Sequence, residues 1–70
     1  MSNISERVEA WFCNGIPAEG LIAWERSDVI EDATSSFLAE HVGQSEANLR
    51  ALTDKDLVAV HYWAMHEATR

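Results

Sequence analysis

The sequence predicts an all-α protein: a compact, single-domain bundle of four to five short helices. Apolar residues recur at the three- and four-residue spacings of one helix face, and helix start and stop signals follow one another along the chain. No segment shows the strict apolar–polar alternation of a strand. The chain has 70 residues, 47% of them hydrophobic, which suits one small core and one domain over residues 1–70.

The first predicted helix begins at Asn3, the expected N-cap, with Glu6 as its capping-box partner. One apolar stripe follows, formed by Ile4, Val8, Trp11 and Phe12. Gly15 provides a left-handed stop, and Pro17 prevents the helix from continuing.

A second helix is predicted from Pro17, a residue well suited to the first helical position. Ala18, Leu21 and Trp24 share one side of it, and Gly20 lies inside it at a cost of about 1 kcal/mol relative to alanine.

Beyond Arg26 the apolar face changes sides, because the next stripe points roughly opposite to Leu21 on an unbroken helix. That stripe is expected to comprise Ile30, Ala33, Phe37 and His41. A straight helix cannot bury both faces in one small core, so a break is expected at Ser27 and Asp28. A third helix would then run to Val42 and end before a glycine.

A short fourth helix is predicted from Ser45, carrying Leu49 and Leu52. The last helix has the clearest start signal, with Thr53 as N-cap. Acidic residues follow in its first turn, where the helix dipole is positive. It should reach about Ala68, with an inward stripe of Leu57, Val60, His61, Ala64 and Ala68.

The run Leu-Thr-Asp-Lys-Asp-Leu-Val-Ala-Val-His-Tyr-Trp at 52–63 resembles the last helix of small class I cytochromes c. The resemblance consists of a capped amphipathic helix. The haem-attachment pattern Cys-x-x-Cys-His is absent, since Cys13 is the only cysteine. The resemblance therefore implies a helix and no haem, and no cofactor is expected.

Charge is the property that bears most directly on function. Twelve acidic residues stand against five basic ones, and the formal net charge is −7. Seven of the carboxylates lie from Glu19 to Glu46, where Arg26 is the only base. Such a field repels nucleic acid and anionic lipid and attracts cationic partners. We expect no direct nucleic-acid or membrane binding.

The acidic residues before and within the third predicted helix are the candidate contacts for a basic protein: Glu25, Asp28, Glu31 and Asp32. An exposed helix face that serves only solubility usually carries acidic and basic residues intermixed. The compensating lysines are missing here. The alternative is a solvated outer face, with acidic residues favoured near a helix N-terminus.

The last helix has more large apolar surface than one face can bury. Trp63 falls on its flank, and Tyr62 and His66 fall on the far side. One interpretation is a helix packed centrally with neighbours on several sides. The other is an interface, with Tyr62 and Trp63 as apolar anchors of a partner or as the seam of a homodimer.

Metal binding and catalysis are not expected. His61 and His66 are five residues apart, which separates them by roughly 140° around a helix. Neither a Cys-x-x-Cys nor a His-Glu-x-x-His pattern occurs. His41 and His61 are expected in or beside the core with one nitrogen hydrogen-bonded, and the sequence contains no signature of an enzyme.

The single cysteine favours a reducing compartment, and neither a signal peptide nor a membrane-spanning run is recognisable. The sequence thus predicts a soluble, cytoplasmic binding protein that docks on a basic, nucleic-acid-binding protein and blocks it. In size and charge this resembles virus-encoded inhibitors of host defence such as anti-CRISPR proteins. The alternative is a structural homo-oligomer or assembly subunit that uses the C-terminal aromatic helix.

Overall fold

The computed structural model describes residues 4–69, which form five helices and no strand. They are α1 (Ile4–Asn14), α2 (Ala23–Ala33), α3 (Ala39–Val42), α4 (Glu46–Ala51) and α5 (Asp54–Ala68). The predicted all-α class is confirmed. The long helix α5 packs against α1, α2 and α3, so it forms the centre of the bundle. No helix in this part of the chain has the length and apolar character needed to cross a membrane.

The core is apolar and draws on every helix. Its largest fully buried apolar side chains are Leu38, Leu49, Leu57, Val8, Val29 and Val58. His61 is the one polar side chain among the described residues that is fully buried with them. Burial of this kind stabilises a small domain by roughly 25 cal/mol per Å² of apolar surface.

Helix α1 ends where the sequence predicts. Gly15 adopts a left-handed conformation with φ of +99°, and its N–H donates to the carbonyl of Trp11 at 2.9 Å. Ile4 and Val8 are buried as expected, whereas Phe12 is 39% exposed. The predicted N-cap, Asn3, lies outside the described residues.

The prediction of a helix that begins at Pro17 is wrong. The chain turns instead, with the N–H of Gly20 donating to the carbonyl of Pro17 at 2.8 Å and Gly20 at φ of +82°. The N–H of Leu21 then donates to the side chain of Asp54 at 2.9 Å. This bond satisfies a backbone group outside the helical ladder, so α2 begins only at Ala23.

The predicted break at Ser27 and Asp28 is also wrong, because α2 runs through both residues. The expectation assumed that both apolar faces must be buried. Within α2 the structure buries Val29, Ile30 and Ala33. Trp24 is 48% exposed, and Leu21 is buried from the turn that precedes the helix.

The chain interrupts its helix later, at residues 34–38. The Thr34 hydroxyl donates back to the carbonyl of Ile30 at 3.0 Å, and the carbonyl of Ser35 accepts from the N–H groups of Leu38 and Ala39. The turn brings Leu38 into the core. The predicted inward placement of Phe37 and His41 is therefore wrong: Phe37 is 58% exposed and His41 is exposed.

The remaining boundaries are confirmed. Gly43 ends α3 in the left-handed conformation. Ser45 caps α4 by accepting from the N–H of Asn48 at 3.2 Å. Thr53 caps α5 by accepting from the N–H of Asp56, also at 3.2 Å. Within α5, Val58 is more deeply buried than the predicted Val60.

Candidate functional site

Three of the four predicted acidic contacts lie together on α2. Asp28, Glu31 and Asp32 line one shallow cavity of about 260 Å³, together with Ile4 and Ser35. Helical spacing explains this, because residues three and four apart share one face. We call these three carboxylates the α2 acidic face.

Glu25, the fourth predicted contact, already binds two other residues of the protein. One carboxylate oxygen accepts from the N–H of Ile22 at 3.2 Å and so caps α2. The other is 3.1 Å from the guanidinium of Arg7, and the side chain is only 15% exposed. The same guanidinium lies over the ring of Trp24 at 5.2 Å. Glu25 therefore fastens α1 to α2 and offers little surface of its own.

Asp32 reaches from the α2 acidic face into the core. Its carboxylate lies 2.5 Å from Nε2 of His61, which is fully buried. A contact of this length with a carboxylate requires a hydrogen on Nε2. The predicted burial of His61 with one bonded nitrogen is confirmed. Its other nitrogen, Nδ1, is buried without a hydrogen-bond partner.

Four rings form an exposed aromatic cluster on α1 and α5: Phe12, Tyr62, Trp63 and His66. Phe12 and Tyr62 stack in parallel with ring centroids 4.0 Å apart and 2° between their planes. Trp63 stands at 87° to both rings, with centroids 5.9 Å from Phe12 and 5.4 Å from Tyr62. Trp63 remains 53% exposed. Stacked and edge-on aromatic pairs hold one another in place, so the cluster is a preformed surface.

Phe12 is the member of the aromatic cluster that sequence reasoning missed. It falls at the end of the apolar stripe predicted for α1. No local signal distinguishes it, because Trp11 and Phe12 occupy ordinary adjacent positions of one apolar helix face. Phe12 also borders an apolar groove of about 350 Å³ that is lined by Trp11, Gly15, Ile16, Lys55, Val58 and Ala59.

A larger cavity of about 450 Å³ lies between α1 and the C-terminal half of α5, next to the aromatic cluster. Its walls are formed by Ser5, Glu6, Val8, Glu9, His61, Tyr62, Met65, His66 and Thr69. We call it the α1–α5 cavity. Its volume is within the range of ordinary ligand pockets.

The described arginines are all engaged inside the molecule. Arg7 pairs with Glu25, Arg26 with Asp54 at 2.5 Å, and Arg50 with Glu46 at 3.1 Å. Arg26 also donates to the carbonyl of Leu52 at 2.9 Å. The pairs of Arg7 and Arg26 connect two helices each, and the pair of Arg50 lies within α4.

Among these pairs, the one between Arg26 and Asp54 includes a carboxylate that also accepts a backbone hydrogen bond. The N–H of Leu21 and then the hydrogen bond from Arg26 hold the pKa of the Asp54 carboxyl below its ordinary value. Both bonds favour the ionised form. The carboxylate thus links the turn after α1, the second helix and the start of α5.

Residues 4–69 contain no set of three His, Cys, Asp or Glu side chains placed to hold a metal ion. Cys13 is exposed, and His61 is bound to Asp32 in the core. The described surface offers carboxylates and an aromatic cluster.

Comparison with models of known protein families, with curated proteins and with solved structures found no match for this chain. The functional interpretation therefore depends on the geometry and charge of its own residues.

Proposed function

We propose that this protein is a non-enzymatic binding protein that docks on a basic protein and blocks it. The observation that supports this most is the exposed aromatic cluster in a molecule with a net charge of −7. Tryptophan and tyrosine contribute most often to binding energy at protein interfaces. A strongly negative net charge attracts a cationic partner and accelerates its approach.

The partner we propose is a nucleic-acid-binding protein. Arginine and lysine side chains that bind phosphates also pair with carboxylates, frequently in bidentate geometry. An acidic surface can therefore occupy a groove that would otherwise hold nucleic acid. Small virus-encoded inhibitors of host defence, such as anti-CRISPR proteins that block a nucleic-acid-binding complex, offer the comparison, which depends on size and charge.

The predicted contacts should contribute unequally. Glu31 is exposed on the α2 acidic face and can turn toward a partner. Asp32 and Glu25 are held by His61 and Arg7, so reorienting them would break bonds of the fold. Tyr62 and Trp63 would supply the apolar part of the contact from α5.

The first test measures affinity for a partner captured from the native host, by calorimetry at increasing salt concentrations. We expect affinity to fall steeply as salt rises, because exposed charge pairs are screened. The double reversal Asp28→Lys/Glu31→Lys should weaken binding by at least about tenfold, since like charges then face each other. This variant leaves the hydrogen bond between Asp32 and His61 in place.

The matched control is Glu19→Lys/Glu40→Lys, which changes the net charge equally at two exposed positions off the α2 acidic face. We expect a much smaller loss for this variant. Equal losses for the two variants would mean that net charge alone attracts the partner. Unchanged binding by the Asp28→Lys/Glu31→Lys variant would mean that the α2 acidic face is only solvated.

The exposure of Trp63 also favours a second candidate function, a homo-oligomer joined through the aromatic cluster. Two copies would bring their negative charges together, so this association should strengthen as salt rises, opposite to binding of a basic partner. Sedimentation of the wild type and of Trp63→Ala separates the two candidates. A monomer in both cases eliminates the oligomer.

A further inference from the structure

We infer that the α1–α5 cavity binds the guanidinium group of an arginine side chain supplied by the basic partner. The inference rests on the proposed function and identifies the chemical group that this part of the surface receives. It is carried by the hydrogen-bonding character of the cavity wall and by one buried nitrogen without a partner.

Several polar groups in the wall can offer only acceptors. Glu6 and Glu9 contribute carboxylates. The Thr69 hydroxyl donates its hydrogen to the carbonyl of Met65 at 2.9 Å, and the Ser5 hydroxyl donates to the Met65 sulfur at 3.9 Å. Because both hydroxyl hydrogens are used, only their lone pairs face a ligand.

His61 adds a buried acceptor to the same cavity. In the tautomer whose hydrogen is on Nε2, where Asp32 accepts it, the ring presents a lone pair at Nδ1. The two ring nitrogens point in widely different directions, and Asp32 lies on the α2 side, outside the cavity wall. His61 itself is part of that wall. Nδ1 is buried and has no hydrogen-bond partner, and such a group is stabilised when a donor reaches it.

A guanidinium group matches this wall because it carries five N–H donors and no acceptor. Its planar, weakly hydrated cation also stacks on aromatic rings, and Tyr62 and His66 are part of the wall. A lysine ammonium carries the same charge, but it lacks the planar set of N–H groups that could donate to a carboxylate and to an imidazole nitrogen at the same time. An anion or a neutral acceptor would meet acceptors on most sides.

The test is an NMR titration of the intact protein near pH 8 with N-acetyl-arginine amide, following the imidazole signals of His61 and His66. N-acetyl-citrulline amide, which has nearly the same shape without the charge, is the first control. N-acetyl-lysine amide is the second. We expect saturable shifts with the arginine compound and at least about tenfold weaker binding of the citrulline compound, since charge-assisted hydrogen bonds are the stronger ones.

Two variants assign the binding to the cavity. Glu9→Gln should weaken binding of the arginine compound several-fold, whereas Glu40→Gln, an exposed carboxylate on α3, should leave it unchanged. His61→Gln keeps an amide N–H for Asp32 and lacks the Nδ1 acceptor, so it should also weaken binding. Glu9 is exposed, so its variant gives an answer even if the His61 variant fails to fold.

Equal affinity for the arginine and citrulline compounds would overturn the inference, and so would equal losses in Glu9→Gln and Glu40→Gln. If N-acetyl-lysine amide bound as tightly as N-acetyl-arginine amide, the cavity would accept any cation. The selection of a guanidinium group would then be wrong. None of these results affects the test on the α2 acidic face. If the titration fails while partner binding still depends on salt and on Asp28 and Glu31, only the cavity inference is lost.

Discussion

Asp32 and His61 lie 29 residues apart in the chain, yet the Asp32 carboxylate accepts a hydrogen bond from Nε2 of His61 at 2.5 Å. The bond joins α2 to the buried side of α5. It fixes an acidic side chain that lines the same shallow cavity as Asp28 and Glu31. The core and the candidate binding face therefore share one residue.

The energy of this bond can be measured with a double-mutant cycle of Asp32→Ala and His61→Leu. Because the partners are in direct contact, we expect a coupling free energy of about 1–3 kcal/mol from urea unfolding. Cycling Glu31→Ala with His61→Leu is the control, and its coupling should be within about 0.5 kcal/mol of zero. Similar couplings in the two cycles would contradict a specific bond.

Asp54 should be the most sensitive surface carboxylate. Asp54→Ala removes the acceptor for the N–H of Leu21 and the ionic partner of Arg26. We expect a loss of about 2 kcal/mol in the free energy of unfolding, because a partly buried donor and a cation lose their partner. Asp56→Ala, in the same helical turn and exposed, should lose only about 0.5 kcal/mol through the helix dipole.

The contribution of Asp54 should also depend on pH. Its pKa in the folded protein is lowered, first by the N–H of Leu21 and then by Arg26. A lowered folded-state pKa means that the stabilisation is complete above the unfolded value of about 3.9 and is lost as pH falls through the folded value. Urea unfolding at a series of pH values should therefore show wild type and Asp54→Asn converging in acid. A constant difference down to the most acidic pH would contradict the assignment.

Gly20 is expected to tolerate no side chain. Its φ is +82°, and an added Cβ would lie 2.7 Å from an oxygen of Asp54. Gly43 also has a positive φ, of +67°, but an added Cβ there meets open space. Gly43→Ala should cost about 1 kcal/mol from backbone strain alone. Gly20→Ala should cost clearly more in thermal or urea unfolding, because it also displaces Asp54 from Leu21.

Phe37 and Leu38 provide a direct test of the turn at residues 34–38. Leu38 is fully buried, and Phe37 is 58% exposed. We expect Leu38→Ala to cost about 2–5 kcal/mol, as for other buried leucines, and Phe37→Ala to cost less than about 1 kcal/mol. The reverse order in urea unfolding would support the uninterrupted helix that the sequence pattern predicts.

Part of the candidate site could be predicted from the sequence, and part could not. The spacing of Asp28, Glu31 and Asp32 places them on one helix face by local geometry alone. The stacking of Phe12 on Tyr62 joins residues at opposite ends of the chain, and no local pattern indicates it. The same holds for Glu25, whose pairing with Arg7 depends on how α1 lies against α2.

The sequence by itself determined the all-α class, the charge and the helix ends at Gly15, Gly43, Ser45 and Thr53. Those ends depend on hydrogen bonds and glycine conformations within about one helical turn, so neighbouring residues are sufficient. Only the tertiary structure decided the start of α2 and the turn before α3. The first depends on a carboxylate 33 residues away, and the second on which of Phe37 and Leu38 the packed core can accept. Contacts between distant residues exist only once the chain has folded, and they decide wherever two local conformations are close in energy.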